Sequence, residues 1–396
     1  MTVSFFLCLF VQFFREVSYM GRIRVLHSLE SVSSGGVEQR RLSLARHLDP
    51  QIYEQQLICT KAIKSLPTQF EEACCKITEV GAFRSILDLP RYKSALRVIR
   101  EFRPHIIHGA VFEGVAMSAI AGTLGRVPVI IGEETSNPIN RSWRGNFIYK
   151  GITALTHHMV AVSPAVEIYL TEKIGLARDK VSVIPNGVSE KKRPSVESTI
   201  SLRNRLGLTE KDFVIGTVGR LFDRSKRVSD IIKAMPLIVP KVPNAKLLVV
   251  GTGPDEPPLR ELAESLGLTD KILFVGYQSD TRQFYELMDV FVLASAHEAF
   301  GLVLVEAMFS RLPVVATRVG GIPKVVVDGE TALLCDPFSP SQIADKVIPF
   351  FKSAALRKTF GDAGKERARK YFSENRYVTD VSQLYQKLLN VNKVQD

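Results

Sequence analysis

From residue 23 onward the chain alternates short apolar runs of strand length with segments of helical period, and it does so twice. That rhythm leaves few architectures open. "IRVLHSL" (23–29), "QQLICT" (55–60), "HIIHGA" (105–110), "VPVIIGEE" (127–134), "MVAVS" (159–163) and "VSVIPNG" (181–187) read as strands, with helical segments at 37–48, 91–102 and 113–124 between them. Uniformly apolar strands separated by helices belong to parallel sheets covered on both faces, a doubly wound α/β layer. After the charged, turn-rich "SEKKRPSVEST" (189–199) a second series begins: "FVIGTVGRL" (213–221), "AKLLVVGTG" (245–253), "ILFVGY" (272–277), "VFVLAS" (290–295) and "PVVATRV" (313–319).

Two layers suit the 396 residues, which exceed one ordinary core and predict two domains of roughly 150 to 200 residues each. The expected divisions are residues 20–190 and 191–373, with a cleft between the layers in which ligands bind. A helical stripe over 374–393, apolar at Tyr377, Val378, Val381, Leu384, Tyr385, Leu388 and Leu389, is expected to pack back on the first domain.

Hydrophobic content of 45% and charged content of 23% are those of a folded globular protein. The 52 Lys and Arg against 41 Asp and Glu leave a formal charge of +11, which favours anionic partners. Cys8, Cys59, Cys74, Cys75 and Cys335 are odd in number and show no ligand spacing, so a reducing, cytoplasmic compartment is expected, without a disulfide framework or zinc site. "VSFFLCLFVQFF" (3–14) is too short to span a bilayer and lacks the basic flank and cleavage site of a secretory signal. Residues 1–19 therefore read as an upstream extension before a natural start at Met20, or as a weak membrane tether.

The chemistry concentrates in "HEAFGLVLVEAM" (297–308), where Glu298 and Glu306 flank a run with no other charge. "AHEAFG" reads as a short turn and "LVLVEAMFS" as a helix, so Glu298 stands at or just before the helix N-terminus and Glu306 about two turns inside; at roughly 1.5 Å per residue the eight-residue spacing corresponds to about 12 Å. Backbone N–H groups at Phe300, Gly301 and Leu302 would meet an anion at the helix start. A diphosphate fits there, with a hydroxyl-binding carboxylate on each side. Arg220 and Lys226, in "GTVGRLFDRSK" after a buried strand, supply two cations for the charge that grows as a nucleotide departs. Gly35 and Gly36, in "SSGGVEQRR", permit close backbone approach to a phosphate, whereas "GTG" at 251–253 reads as a packing turn.

No Asp-x-Asp occurs in the chain, so the usual carboxylate pair for a metal-bridged diphosphate is missing; no metal and no cofactor are expected. The dinucleotide fingerprint and the P-loop are missing too, which counts against dehydrogenase and ATPase readings. Toward the acceptor, the candidates are Glu133 and Glu134 at a strand end, with Arg141 and Arg144 in "NRSWRGNFIYKGI" (140–152). As an ordinary amphipathic helix that last segment turns its aromatics inward; the alternative is a surface resting on an anionic leaflet or gripping a lipid diphosphate.

Taken together, "GGVEQ" (35–39), "PHIIHGA" (104–110), "IPNGV" (184–188), "GRLFDRSK" (219–226), "HEAFGLVLVEAM" (297–308) and "PVVATRVGGIPKVVVDGETALL" (313–334) resemble the family-four retaining glycosyltransferases of GT-B fold. The resemblance implies two Rossmann-like domains facing across a cleft, the second binding a nucleotide sugar and the first an acceptor. It implies that Arg220 and Lys226 hold the diphosphate, Glu298 the hexose, Glu306 the ribose, and the backbone of Phe300, Gly301, Leu302 and Val303 the phosphates and sugar. Gly35 and Gly36 would approach the diphosphate from the first domain. His108 would be the catalytic-site histidine, although the second histidine of many relatives is replaced here by Ala110. Arg220, Lys226, Glu298 and His108 are thus the expected catalytic set, with Glu298 an electrostatic contributor. The implied activity is hexosyl transfer to a glycan or lipid-linked acceptor in cell-surface polysaccharide or lipopolysaccharide assembly, cytoplasmic or peripheral at the inner membrane, without nucleic acid. The alternatives are an epimerase or phosphorylase on the same scaffold, or a non-catalytic nucleotide-sugar-binding protein.

Overall fold

The computed structural model describes residues 21–33, 35–63, 66–81, 88–136, 138 and 141–393, so the apolar stretch within residues 1–19 lies outside the described residues. The chain divides into two compact units. The first comprises the chain up to Val162, Glu167–Ile184 and Tyr377 onward; the second comprises Ser163–Val166 and Pro185–Arg376.

The first unit holds a seven-stranded parallel sheet: β1 (Ile23–Val32), β2 (Tyr53–Ala62), β3 (Lys76–Glu79), β4 (Ile106–Ala110), β5 (Val129–Glu134), β6 (His158–Ala161) and β7 (Val181–Val183). Their order across the sheet is β3-β2-β1-β4-β5-β6-β7. Alternate residues face opposite sides, as the pleat requires. Val25, Ile106, Val129 and Ile131 pack toward the C-terminal helix Glu374–Lys393 through Tyr377, Val381 and Tyr385. Leu26, Ile107 and Ile130 pack toward the helices Leu89–Phe102 and Val111–Leu124 through Val98, Ile99 and Met117. Both faces are therefore dry, which is why the strands read as continuous apolar runs.

The second unit holds β8 (Phe213–Val218), β9 (Ala245–Val250), β10 (Ile272–Phe274), β11 (Val290–Leu293), β12 (Val314–Thr317) and β13 (Ala332–Cys335), all parallel, in the order β10-β9-β8-β11-β12-β13. In each sheet the strand order reverses once, between β1 and β4 and between β8 and β11. A crevice opens beyond the strand C-termini at such a reversal, and ligands of doubly wound folds bind there.

Two edge strands escape the sequence reading. β3 has the pattern Lys-Ile-Thr-Glu, with no fully buried residue, and β13 is four residues long behind the turn at Gly329. Neither offers an apolar run long enough to stand out. β7 stops at Val183 rather than continuing to residue 187, because Pro185 follows and lacks a ladder donor.

Candidate active site

In the second unit, the loop after β8 and the loop after β11 leave neighbouring strands at the reversal point. They are stitched together: the Ala296 N–H donates to the Ser225 carbonyl at 2.8 Å, and Ser225 Oγ donates to the His297 carbonyl at 3.3 Å. Lys226 ends the single helical turn Asp223–Lys226, and its Nζ lies 2.6 Å from Oε2 of Glu298. Ser295 Oγ donates to the same oxygen at 3.2 Å. The structure thus joins two residues singled out separately in the sequence into one ion pair, with both side chains still partly open to solvent.

Glycines fix the Glu298 loop. Gly321 N–H donates to the Glu298 carbonyl at 2.9 Å, and a Cβ on Gly320 or Gly321 would collide with the carbonyl of Glu298 or Ala299. Gly320 also holds φ +52°, a left-handed conformation that favours glycine. The same logic explains "GTG": a Cβ on Gly251 or Gly253 would strike the carbonyl of Gly219 or Leu221, so this turn packs against the strand that delivers Arg220.

Arg220 is exposed, with its guanidinium 6.0 Å from the Phe222 ring centroid and no carboxylate partner among the described residues. Arg227, by contrast, is spent locally. It bonds Asp230 at 2.7 Å and lies over the Phe338 ring.

The helix Leu302–Phe309 begins after Gly301, whose φ of +92° turns the chain into it; no side chain caps the helix and its first turn carries no acid. Its leading N–H groups are accordingly open to an anion. The helix starts at Leu302 with Glu298 in the turn before it, as expected, but Glu306 stands one turn inside rather than two, and the helical rise behind the spacing of about 12 Å does not apply across the loop. Phe300 is buried against the Phe372 ring. Leu302 and Val303 are partly exposed on the first turn. Glu306, one turn in, accepts a 2.8 Å hydrogen bond from the hydroxyl of Tyr285. Burial, together with this carboxylate, raises the Tyr285 hydroxyl well above its ordinary value, so it stays a donor. Tyr285 carried no motif in the sequence; only its contact reveals it.

In the first unit, Gly36 begins the helix Gly36–His47 and Gly35 is the extended capping residue before it, on the loop that leaves β1 at the reversal point. At Gly35 a side chain would meet only the mobile end of Glu38. His108 and Glu133 depart from the expectation of open, substrate-facing groups. His108 is 0% exposed; its Nδ1 lies 2.8 Å from the hydroxyl of Tyr385 on the C-terminal helix, and its Nε2 lies 3.4 Å from Glu133. Glu133 is 2% exposed and pairs with the fully buried Arg41 at 2.8 Å. Burial pushes His108 down to about 4, reinforced by Arg41, so the ring is neutral near pH 7. Burial pushes the Glu133 carboxyl up, but Arg41 and His108 outweigh it and hold it at about 2. These residues form an internal network beneath the sheet and offer no open edge to a substrate.

Glu134, on the opposite face of β5, accepts from the Ser136 N–H and hydroxyl at 3.0 and 2.7 Å, and Arg141 approaches its other oxygen at 3.5 Å. Arg141 also donates to Tyr169 and lies 4.2 Å above the Tyr149 ring. Arg144 is exposed beside Trp143. The expected inward turn of aromatics in the helix Trp143–Ala154 holds for Tyr149; Trp143 and Phe147 point outward.

Comparison with known proteins places this geometry. Residues 34–192 match the family model described as Glycosyltransferase Family 4, and residues 198–367 match Glycosyl transferases group 1. The chain belongs to the family-4 glycosyltransferases. Similar proteins include N-acetyl-alpha-D-glucosaminyl L-malate synthase of Bacillus anthracis, 33% identical over 192 residues, which are 48% of this chain and 50% of that one. The capsular polysaccharide biosynthesis glycosyltransferase CapM of Staphylococcus aureus is 33% identical over 184 residues, 46% and 48% of the two chains. The chain spans about half the length of these curated relatives. Among solved structures, HepE of Anabaena in complex with UDP and glucose aligns with TM-score 0.82 and 20% identity, covering 92% of this chain and all of that one. A glycosyltransferase from Rickettsia africae aligns with TM-score 0.81 and 21% identity, covering 93% and 99%. These likenesses establish the GT-B fold expected of a family-4 enzyme.

Proposed function

We propose that the protein transfers a hexose, with retention at the anomeric carbon, from a nucleoside-diphosphate sugar to a glycan or lipid-linked acceptor. The observation that carries the reading is the Lys226–Glu298 pair at the β8/β11 reversal, with Arg220 exposed and unpaired by any described carboxylate on the same β8 loop.

In this reading Lys226, Arg220 and the open start of the helix Leu302–Phe309 bind the diphosphate. As the bond between the anomeric carbon and the phosphate oxygen lengthens, charge collects on that oxygen, and fixed cations stabilise it most where it is greatest, in the transition state. The leaving oxygen takes the acceptor hydroxyl proton on the same face of the sugar while the acceptor oxygen bonds the anomeric carbon. No protein nucleophile is consumed. Glu298, held by Lys226 and Ser295, is placed to accept hydrogen bonds from hexose hydroxyls, and Glu306 from ribose hydroxyls. In the first unit, Gly35 and Gly36 leave room for an anion at their helix start, and Arg141 and Arg144 serve acceptor recognition, whereas Glu134, 2% exposed and bonded to Ser136, has no open edge for an acceptor.

The missing Asp-x-Asp supports transfer that needs no metal or cofactor. HepE with UDP and glucose, and CapM with its capsular polysaccharide name, support a uridine nucleotide sugar and a role in cell-surface polysaccharide assembly.

The test is calorimetry of the protein against UDP, GDP, ADP and CMP with and without EDTA, followed by transfer assays with the matching sugar nucleotides. Micromolar binding unaffected by EDTA, and an α-configured product by NMR from an α-donor, are expected. Isomerised nucleotide sugar without transfer, or no nucleotide binding by folded protein, overturns the reading.

A further inference from the structure

One face of the first sheet stops being apolar before its strands begin. Leu26 on β1 and Ile58 on β2 pack under the helix Leu89–Phe102, against Val98, Ile99 and Phe102. Two residues earlier on the same face stand Arg24 and Gln56, and the pairings Gln56↔Lys76 and Ile58↔Thr78 put Lys76 and Thr78 of β3 there too. This polar floor and the end of the helix, with Arg97, Arg100 and Arg103, border a cavity of 1240 Å³. It lies at the N-terminal ends of the strands, whereas the reversal-point crevice opens beyond their C-termini.

Most of its charge is unspent. Lys76, Arg97, Arg100 and Arg103 are exposed and have no carboxylate partner among the described residues. The Gln56 amide and the Thr78 hydroxyl are likewise unbonded there. Arg24, by contrast, donates to the Arg103 carbonyl at 2.7 Å, and Glu54 is taken by Arg22 at 3.1 Å. That leaves the carboxylates of Glu79 and Glu101 against four free cations. Arg97, Arg100 and Arg103 recur every third residue, so like charges crowd one side of the helix end.

The cavity also reaches an open sheet edge. β3 is the outermost strand, nothing among the described residues pairs with its free side, and all four of its residues border the cavity. We propose that this cavity docks an acidic, extended segment of a partner protein, which adds to the free edge of β3 as a further strand and sets its carboxylates against Lys76, Arg97, Arg100 and Arg103. The inference goes beyond the transferase reading and does not rest on it.

Size, backbone and charge select this occupant. The cavity exceeds the range of about 300–1,000 Å³ usual for small-molecule pockets, which favours a chain. An exposed strand edge offers ladder groups that a polypeptide matches in register, and alternate side chains of the added strand then fall on the cationic side. A second copy would bring its own formal charge of +11. The chain's own segments outside the described residues supply no run of acids: residues 1–20 carry one arginine and one glutamate, and residues 82–87 carry Arg84 and no acid.

The test uses the full-length protein and a fluorescein-labelled octapeptide alternating Glu and Thr, followed by fluorescence anisotropy. Binding that weakens as salt rises is expected, together with slowed amide hydrogen exchange at residues 76–79 by mass spectrometry. R97Q/R100Q/R103Q is expected to lower the affinity about 30-fold, with far-UV circular dichroism, Tm and nucleotide calorimetry as in the wild type. The same peptide methylated on its backbone nitrogens keeps the charge but loses the ladder donors, and should bind about tenfold more weakly. Equal binding of the methylated peptide, or binding without slower exchange at 76–79, would reduce the contact to bulk charge and overturn the proposal. So would an unaltered affinity in the triple variant, or no binding of the octapeptide at all.

Discussion

Lys226 and Glu298 stand 72 residues apart in the chain and meet at 2.6 Å. On the proposed function, the cation for phosphate and the carboxylate for sugar hydroxyls hold each other in place before any ligand arrives, so neither depends on the substrate for its position. Residues in such contact do not act independently. K226M and E298Q are each expected to lower kcat/KM by about 100-fold. The double variant is expected to fall well short of the product of the two losses. Steady-state rates for the four proteins of the cycle check this; strict additivity would separate the two roles.

Arg220 is the exposed cation on the same β8 loop, and its removal disturbs no buried contact. R220A is expected to lower kcat by about 100-fold with little change in nucleotide affinity or Tm, the pattern of a group that acts as the leaving phosphate gains charge. A rise in KM at constant kcat would instead make Arg220 a simple binding residue.

Glu306 is expected to act in binding. Losing a charged hydrogen-bond acceptor costs about 1.5–3 kcal/mol, so E306A should weaken nucleoside-diphosphate binding roughly 10- to 100-fold by calorimetry. Y285F removes only the 2.8 Å bond that orients the carboxylate, and a smaller loss is expected.

Gly320 ties loop geometry to the site. G320A forces a Cβ against the Glu298 carbonyl from a left-handed backbone, and a destabilisation of about 1–3 kcal/mol is expected in urea titration, with donor binding reduced alongside. Wild-type stability and binding together would show that the loop yields easily.

Acid should loosen the first unit. Burial, with Arg41 adding to it, pushes His27 down to about 3 and His108 down to about 4, from an ordinary 6.5. The unfolded chain takes up these protons near pH 6.5 and the folded chain does not, so the stability is whole above pH 6.5. It falls as pH drops toward 4, at about 1.4 kcal/mol per pH unit for each histidine. Glu133 adds to the loss below its ordinary 4.5, because its folded value is about 2. Urea midpoints from pH 8 to pH 4 test this; a flat profile would mean that the histidines are solvated.

The strand-and-helix rhythm was legible because both faces of each parallel sheet are buried, which writes the strands as apolar runs. The helix Glu374–Lys393 was legible from its stripe. The candidate site was legible only as residue types: a glutamate pair, two cations and glycines at strand ends. Its pairings were not. Nothing in the spacing announces that Lys226 meets Glu298, because two loops from adjacent strands must first be bonded together. His108 and Glu133 read as open groups at strand ends, whereas Arg41 from one helix and Tyr385 from another close over them. Tyr285 and the outward turn of Trp143 likewise depend on which face a short helix presents, a matter of tertiary packing.

The first unit is completed from the far end of the chain. Tyr377, Val381 and Tyr385 are part of its core, and the hydroxyl of Tyr53 meets that of Ser382 at 2.8 Å. During synthesis, the ribosome must therefore deliver the whole of the second unit before β1's inner face can be sealed. Until the last helix emerges, the early strands wait with an apolar face and a buried-to-be Arg41, His108 and Glu133 still wet. Chaperone dependence and premature truncation should consequently harm the domain made first more than the domain made last.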